Sequence, residues 1–491
     1  MNSNILIYIE NASDDRDLTF AGSFLAEKLS AALKKLDNTG EIFYSAPSAY
    51  SGRLSGDKNC FIRTGLDDIG FWKDMFSRTG SDHLCKIHAE SPFLDASLIR
   101  EMVDLHLKYL AEFTFSENLP PGFSGEIIAK DLIASIPELA EKTLPLNQVI
   151  KSNINQFDIE LYYADPDIRD KRLSFLAGDK RDKKIMENIF SSVNKIPAYS
   201  EIRDVIEKNP EVLYIGPSYL EVELTGACDL DCLYCYRNTL KKPHPDMDAE
   251  LLKKIIGQMR SFDLPYTVCY GGSGEPMMHP GFYEILGFTQ EEPLVESIIV
   301  ETNGLYADAN YRNFILNHGS KIKTIVDMNG MNAETYLKLH GKDCFDQVQR
   351  NILSLNEASG DRLYIQVMKI GETEPFLDAY YDFWEKQKIS IILQKQNTYL
   401  GRVRDRRYSD LTPLDRVPCW HLQRDLFILS DGSVSFCKQD VDGEWSCGNA
   451  GAATIPLLWD KKKESFVKDY KRDYATAPDC RSCDEWYTFN F

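Results

Sequence analysis

Three of the chain's twelve cysteines fall within eight positions of the stretch LTGACDLDCLYCYRN (224–238), where Cys228, Cys232 and Cys235 are spaced CxxxCxxC. Clustered thiols form disulfides in oxidising compartments and bind metals where they stay reduced. A disulfide knot leaves one of three thiols over. Structural zinc needs a fourth ligand and favours paired CxxC knuckles; His244, in KKPHPDM, reads as a loop residue rather than that ligand. A 4Fe–4S cluster on three thiolates leaves one iron open to a substrate or cofactor. A second set, Cys419, Cys437 (after Gly432) and the pair Cys480-x-x-Cys483, supplies four thiols. Their number suits zinc or a cluster with no open iron.

Both sets must be held by elements that end near them. From residue 218 strand-like runs recur at 219–224, 266–270, 297–301, 322–327, 363–370 and 389–394, with helical patterns such as DAELLKKIIGQMRSF (248–262) between them. Six βα units in succession predict a parallel sheet curled toward a barrel, with its chemistry at the C-terminal strand ends. Cys228, Cys232 and Cys235 follow the first strand. Past residue 410 the rhythm stops, and CWHLQRDLFILSDGSVSFCKQD (419–440) reads as a hairpin turning at Asp431-Gly432. The first part opens with NILIYIEN and FAGSFLAEKLSAALKKL, a strand-like and then a helix-like pattern, and reads as an α/β layer domain. The expected organisation is an α/β domain over 1–195, a connection at 196–217, a barrel over 218–405 and a small cysteine-bearing domain over 406–491.

Composition narrows the class. At 491 residues, 43% hydrophobic, the chain is globular and too long for one ordinary domain. A net charge of −19, from 75 acids and 56 bases, disfavours nucleic-acid binding. The basic run GRVRDRRYS (401–409) reads as a solvated loop. The opening MNSNILIYIENASDDRD does not read as a secretory leader and no run approaches about 18 apolar residues, so membrane association is not expected and the chain is expected to be cytoplasmic.

CxxxCxxC after the first barrel strand, with Tyr234 before the third cysteine, resembles the radical S-adenosylmethionine superfamily. YGGSGEPMMHP after the second strand resembles its GGEP motif, and ETNG (301–304) and VDMNG (326–330) resemble its later polar strand ends, with Asp327 where serine is more usual. The resemblance implies a 4Fe–4S cluster on Cys228, Cys232 and Cys235, and S-adenosylmethionine bound by Tyr234, Gly272, Ser273, Gly274, Glu275, Thr302, Asn303, Asp327 and Asn329. The second cysteine set resembles the SPASM or twitch extension. That implies one auxiliary 4Fe–4S cluster on Cys419, Cys437, Cys480 and Cys483, with Cys447 to spare. The family reaction starts from a 5′-deoxyadenosyl radical that takes a substrate hydrogen, fed by a reductase, flavodoxin or ferredoxin. A peptide or protein substrate leads, because many SPASM-type enzymes act on peptides; a sugar or polysaccharide precursor is the alternative.

The stretches 71–120 and 157–175 resemble the nucleotidyltransferase-like family, which has a Rossmann-like fold. Active members carry a basic glycine-rich loop after the first strand; here IENASDDRDLTFAG (9–22) is acidic, and Glu90 stands where aspartate is expected. This implies a degenerate domain that recognises a sugar, nucleotide or protein. The whole resembles the fused proteins called spiroSPASM. A nucleotidyltransferase with accessory clusters and a non-enzymatic iron–sulfur electron carrier remain the rival readings. Residue types alone assign no catalytic acid or base: His279, His340, His421, Tyr270, Arg402 and Arg404 are candidates by position only. Cys60, Cys85, Cys269 and Cys344 read as small buried apolar residues.

Overall fold

The computed structural model describes residues 3–9, 19–34, 40–47, 59–63, 67–136, 144–409, 412–474 and 480–488. The chain divides into two compact units, Met1–Leu213 and Tyr214–Phe491. Among the described residues no helix is long and apolar enough to cross a membrane.

The first unit contains β1 (Ser3–Tyr8), β2 (Thr19–Phe20), β3 (Ser23–Phe24), β4 (Ile42–Pro47), β5 (Cys60–Arg63), β6 (His83–His88), β7 (Phe113–Ser116), β8 (Glu126–Ala129) and β9 (Ile159–Tyr162). Seven of these form one sheet in the order β5-β4-β1-β6-β8-β7-β9, with β8 antiparallel to both neighbours; β2 and β3 pair separately. Successive side chains of β1 point to opposite faces. Ile5 and Ile7 therefore pack with Ala26, Leu29, Ile99 and Met102 of two helices, while Leu6 packs with Trp72, Met75 and Phe76 of another. This is one mixed sheet between helical layers. Most of the acidic stretch 9–22 lies outside the described residues. The span 196–217, expected as a connection, is helical over Tyr199–Lys208, and Tyr199, Ile202 and Ile206 form its buried stripe. Its prolines and charges mark the ends of that helix.

The second unit contains β10 (Tyr219–Glu223), β11 (Tyr266–Gly271), β12 (Val295–Thr302), β13 (Ile322–Asp327), β14 (Leu363–Met368) and β15 (Ser390–Gln394). They pair in parallel and in sequence order, as the six-unit rhythm anticipates. β16 (Asp425–Ile428) adds in parallel to the free side of β10, and β17 (Ser433–Ser435) and β18 (Gly448–Asn449) follow antiparallel. The hairpin turn falls at Asp431-Gly432, where Gly432 has φ +82°. The cysteine-bearing hairpin thus continues the sheet.

The two-residue alternation of the strands decides what fills the centre. Tyr219, Cys269, Ile299 and Ile325 pack in one cluster with Tyr364 and Ile392, so residues from β10 through β15 share a core and the sheet is curled. Two residues further along the same strands stand Glu221, Gly271, Glu301, Asp327, Gln366 and Gln394. An apolar floor is overlaid by a polar ring at the C-terminal ends. Ile299 is 1% exposed in that floor. Ile299→Ala is expected to destabilise the chain by about 2–5 kcal/mol, read as an earlier urea transition; an unmoved transition would show that the floor is not a packed core.

Candidate functional site

Above the polar ring lies a cavity of about 730 Å³. Cys228, Cys232, Cys235, Tyr234, Gly272, Ser273, Gly274, Glu275, Thr302, Asn303 and Asp327 all line it. Of the sixteen residues that the family resemblance singled out, these eleven line the cavity, the four cysteines Cys419, Cys437, Cys480 and Cys483 do not, and neither does Asn329. Its amide Nδ2 donates to the Tyr234 hydroxyl at 2.7 Å and its Oδ1 accepts from Met368 N at 2.6 Å. Asn329 supports the wall and does not line the cavity.

The cysteine loop is set by short-range bonds. Cys235 N donates to Cys232 O at 3.0 Å, and Arg237 N donates to Cys235 Sγ at 3.4 Å. Backbone N–H groups aimed at sulfur stabilise thiolate charge. Asn303 Nδ2 donates to Asp229 Oδ1 at 3.2 Å beside Cys228. Burial raises the Cys232 and Cys235 thiols, and the neighbouring thiols add to the shift in each case, which places the sulfurs within each other's field. Among the described residues no three His, Cys, Asp or Glu side chains close on a single metal ion. The three thiols line one volume, and soft donors around such a volume fit a cluster.

The loop after β11 is held by a buried acid that pattern reading missed. Glu223, 0% exposed at the end of β10, accepts from Ser273 N (2.9 Å), Ser273 Oγ (2.6 Å), His244 Nδ1 (2.7 Å) and Ser430 N (3.3 Å). Burial pushes this carboxyl up, but those bonds and the His244 charge outweigh it and hold the pKa below the ordinary value. His244 is accordingly Glu223's partner. Gly274 is required by space: a Cβ there would stand 2.1 Å from Thr225 O. Glu275 follows and accepts from Thr302 Oγ1 at 2.9 Å, Asn303 N at 2.8 Å and Met277 N at 3.2 Å. Burial nevertheless lifts its pKa to about 7. Asp327, accepting from Gln366 Nε2 at 2.8 Å, is lifted by burial to about 6.

The second thiol set lies close in sequence to residues that line the cavity, among them His421, Lys438 and Glu485. Burial raises Cys437 to about 12, with the charges of Cys483 and Cys480 next, and Cys419 is raised by burial and then by Asp469 and Cys483. Cys419 N donates to Asp469 Oδ2 at 2.7 Å, and Glu485 N donates to Cys483 Sγ at 3.4 Å. Two lysines flank this set, Lys462 buried and Lys438 half-buried. Lys462 Nζ donates to Asp425 O at 2.6 Å and feels Cys447, Cys437 and Cys419. Lys438, next to Cys437, reaches into the cavity with Nζ 2.9 Å from Glu221 Oε1. Neither lysine sits in a motif; a lone lysine carries no sequence signal until the fold buries it.

The positional candidates separate cleanly. His340 and His421 line the cavity. His279 is structural, bonding Met247 O at 2.8 Å and Gly281 N at 3.0 Å. Tyr270 points to the outer face of β11, with its hydroxyl on Thr289, because its neighbours Cys269 and Gly271 take the inner face. Arg402 is paired with Asp442 and Arg404 is exposed on the loop, so neither faces the cavity. Cys85, Cys269 and Cys344 are buried, whereas Cys60 on the edge strand β5 is half-buried.

Residues 222–383 match the Radical SAM superfamily, and residues 419–484 match SPASM, an iron–sulfur cluster-binding domain. The second unit thus carries a radical S-adenosylmethionine domain followed by a SPASM domain, and the chain's cofactors are 4Fe–4S clusters and S-adenosylmethionine. An uncharacterized protein of Treponema pallidum is 26% identical over 70% of this chain and 97% of its own length. A GTP 3′,8-cyclase of Shewanella denitrificans is 24% identical over 38% of this chain, which spans about half (55%) of that protein. Among solved structures, SuiB of Streptococcus suis bound to precursor peptide SuiA is 14% identical, covering 58% of this chain and 73% of that one, with a TM-score of 0.46.

A raised carboxyl binds its proton more tightly when folded, so between pH 4.5 and about 7 folding stability falls as pH rises. In the metal-free chain Glu275→Gln is expected to flatten that part of the stability–pH profile by about 3 kcal/mol, at 1.36 kcal/mol per pKa unit. Urea titrations of both proteins across this range check it, and parallel profiles would refute the buried-acid reading.

Proposed function

We propose that this chain cleaves S-adenosylmethionine reductively and directs the resulting radical at a hydrogen of a peptide. The observation that supports the first half is the sharing of one cavity by Cys228, Cys232 and Cys235, the Gly272–Glu275 loop, and Thr302 with Asn303. When bound, the cluster and S-adenosylmethionine supply a 5′-deoxyadenosyl radical on arrival of one electron. The chain's own residues bind and orient. Gly272 and Gly274 bring backbone close to the cofactor's amino acid end, Glu275 presents its carboxyl there, and Asp327 with Gln366 offers acceptors for ribose hydroxyls. The apolar floor below excludes water from the radical's path. Cys419, Cys437, Cys480 and Cys483 hold one auxiliary cluster behind Lys438, suited to taking an electron from the substrate and making the reaction a net oxidation. The electron donor is a flavodoxin- or ferredoxin-type protein.

The peptide half rests on the cavity's border. Ile392, Leu393 and Gln394 of β15 line it, and among the described residues β15 ends the sheet. A strand edge beside a catalytic cavity suits an extended backbone, which adds main-chain hydrogen bonds while one side chain enters. The first unit is a degenerate nucleotidyltransferase-like domain in this reading, a recognition module and not a catalyst.

Anaerobic reconstitution is expected to give about eight irons per chain, as two four-iron clusters require; about four would remove the auxiliary cluster. Reduced enzyme with S-adenosylmethionine should release 5′-deoxyadenosine, and Cys232→Ala should abolish release; full turnover in that variant refutes the assignment. For the substrate, a deuterated peptide digest should pass deuterium into 5′-deoxyadenosine. Transfer from deuterated sugars alone would overturn the peptide class.

A further inference from the structure

His340 closes the helix Ala333–His340 and is fully buried. Its Nε2 lies 3.1 Å from the backbone N of Asn329. A backbone N–H can only donate, so Nε2 offers its lone pair and a neutral ring carries its single proton on Nδ1. Nδ1 stands 3.4 Å from Cys232 Sγ and 3.3 Å from the Tyr234 hydroxyl. That hydroxyl already accepts from Asn329 Nδ2. The imidazole proton on Nδ1 therefore faces the Cys232 sulfur.

The arrangement is held on every side. The ring stacks on Tyr336 at 4.1 Å and 16°, with the edge of Tyr234 at 5.8 Å. His340 O accepts from Asp231 N at 3.1 Å, and Leu339 O accepts from Leu233 N at 2.9 Å. The helix end thus grips the cysteine loop on both sides of Cys232. Gly341 makes that grip possible: φ is +75°, and a Cβ would stand 2.7 Å from Asp231 O. Asn329, tied to Met368 on β14, fixes the imidazole from behind.

We propose that His340 is a positioning residue for the radical chemistry: its Nδ1–H donates to the Cys232 thiolate and makes the cluster held there easier to reduce. The inference rests on Cys228, Cys232 and Cys235 being the cluster's ligands. One-electron reduction adds negative charge that spreads over the sulfurs, and a donor fixed in a dry wall favours that state.

The test uses the full-length chain reconstituted with iron and sulfide. His340→Leu keeps apolar bulk and removes the N–H; His340→Asn keeps an amide N–H near the Nδ1 position. Each is titrated with titanium(III) citrate while following the EPR signal that added S-adenosylmethionine perturbs, which identifies the cluster with the open iron. The midpoint is expected to move to more negative potential in His340→Leu and to return toward the original value in His340→Asn, at equal iron content. An unmoved midpoint in His340→Leu overturns the proposal. The original chain grown with ¹⁵N-histidine gives a reading that needs no variant. A ¹⁵N coupling on that signal, lost in His340→Asn, is expected, and its absence overturns the proposal. A chain with iron but no signal responsive to S-adenosylmethionine refutes the ligand assignment itself.

Discussion

A carboxylate sealed from water must find its donors inside the protein, and Glu223 finds four of them on three separate pieces of chain. It binds the loop that follows β11, the histidine that follows the cysteine loop, and the turn of the cysteine-bearing hairpin. Leaving such a group unsatisfied costs more than any one of these contacts contributes. The three segments are therefore locked in a common register at the mouth of the cavity. Ser273, His244 and Ser430 are ordinary residues alone; the buried charge makes them one assembly.

The rest of the site follows from where the strands place their side chains. Six strands present an apolar residue and then, two positions later, a polar one or a glycine. Where all six apolar positions meet, the sheet curls and closes a floor. Where the polar positions meet, a ring forms that no water-filled surface would need. Asp327 in that ring and Glu275 in the loop after β11 are held above their ordinary pKa because burial outweighs the bonds each accepts. Such a ring suits cofactor hydroxyls and amines, which supply donors that the protein leaves out.

The two thiol sets occupy different electrostatic settings. Cys232 faces the His340 imidazole, a neutral donor, in a wall of the cavity. Cys419 and Cys437 lie near Lys462, a buried cation. In the proposed reading, four thiolates with no open iron and a cation close by suit passing electrons, while three thiolates and an open position suit holding a cofactor. Lys438 lies between the two settings, bonded to Glu221 on the floor side and adjacent in sequence to Cys437.

Much of this was legible in the order of residues. Cysteine spacing, the Ser273-Gly274-Glu275-Pro276 step and the six strand-like runs are local signals, because a ligand set, a tight turn and a strand each depend on near neighbours. These determined the cofactor class, the strand order and the hairpin at Asp431-Gly432. Glu223, Lys438 and Lys462 escaped because a single charged residue in a strand or loop looks the same whether it meets solvent or a sealed partner. Asn329 shows the converse: its strand-end position suggested contact with a ligand, but its amide is consumed by Tyr234 and Met368. Tyr270 was misplaced by one residue of strand alternation. His340 was only one of several histidines near strand ends, and a sequence cannot say which ring nitrogen bears the proton. The neighbours Asn329 and Cys232, 11 and 108 residues away, decide that, because a tautomer is set by the donors and acceptors the fold brings to the ring.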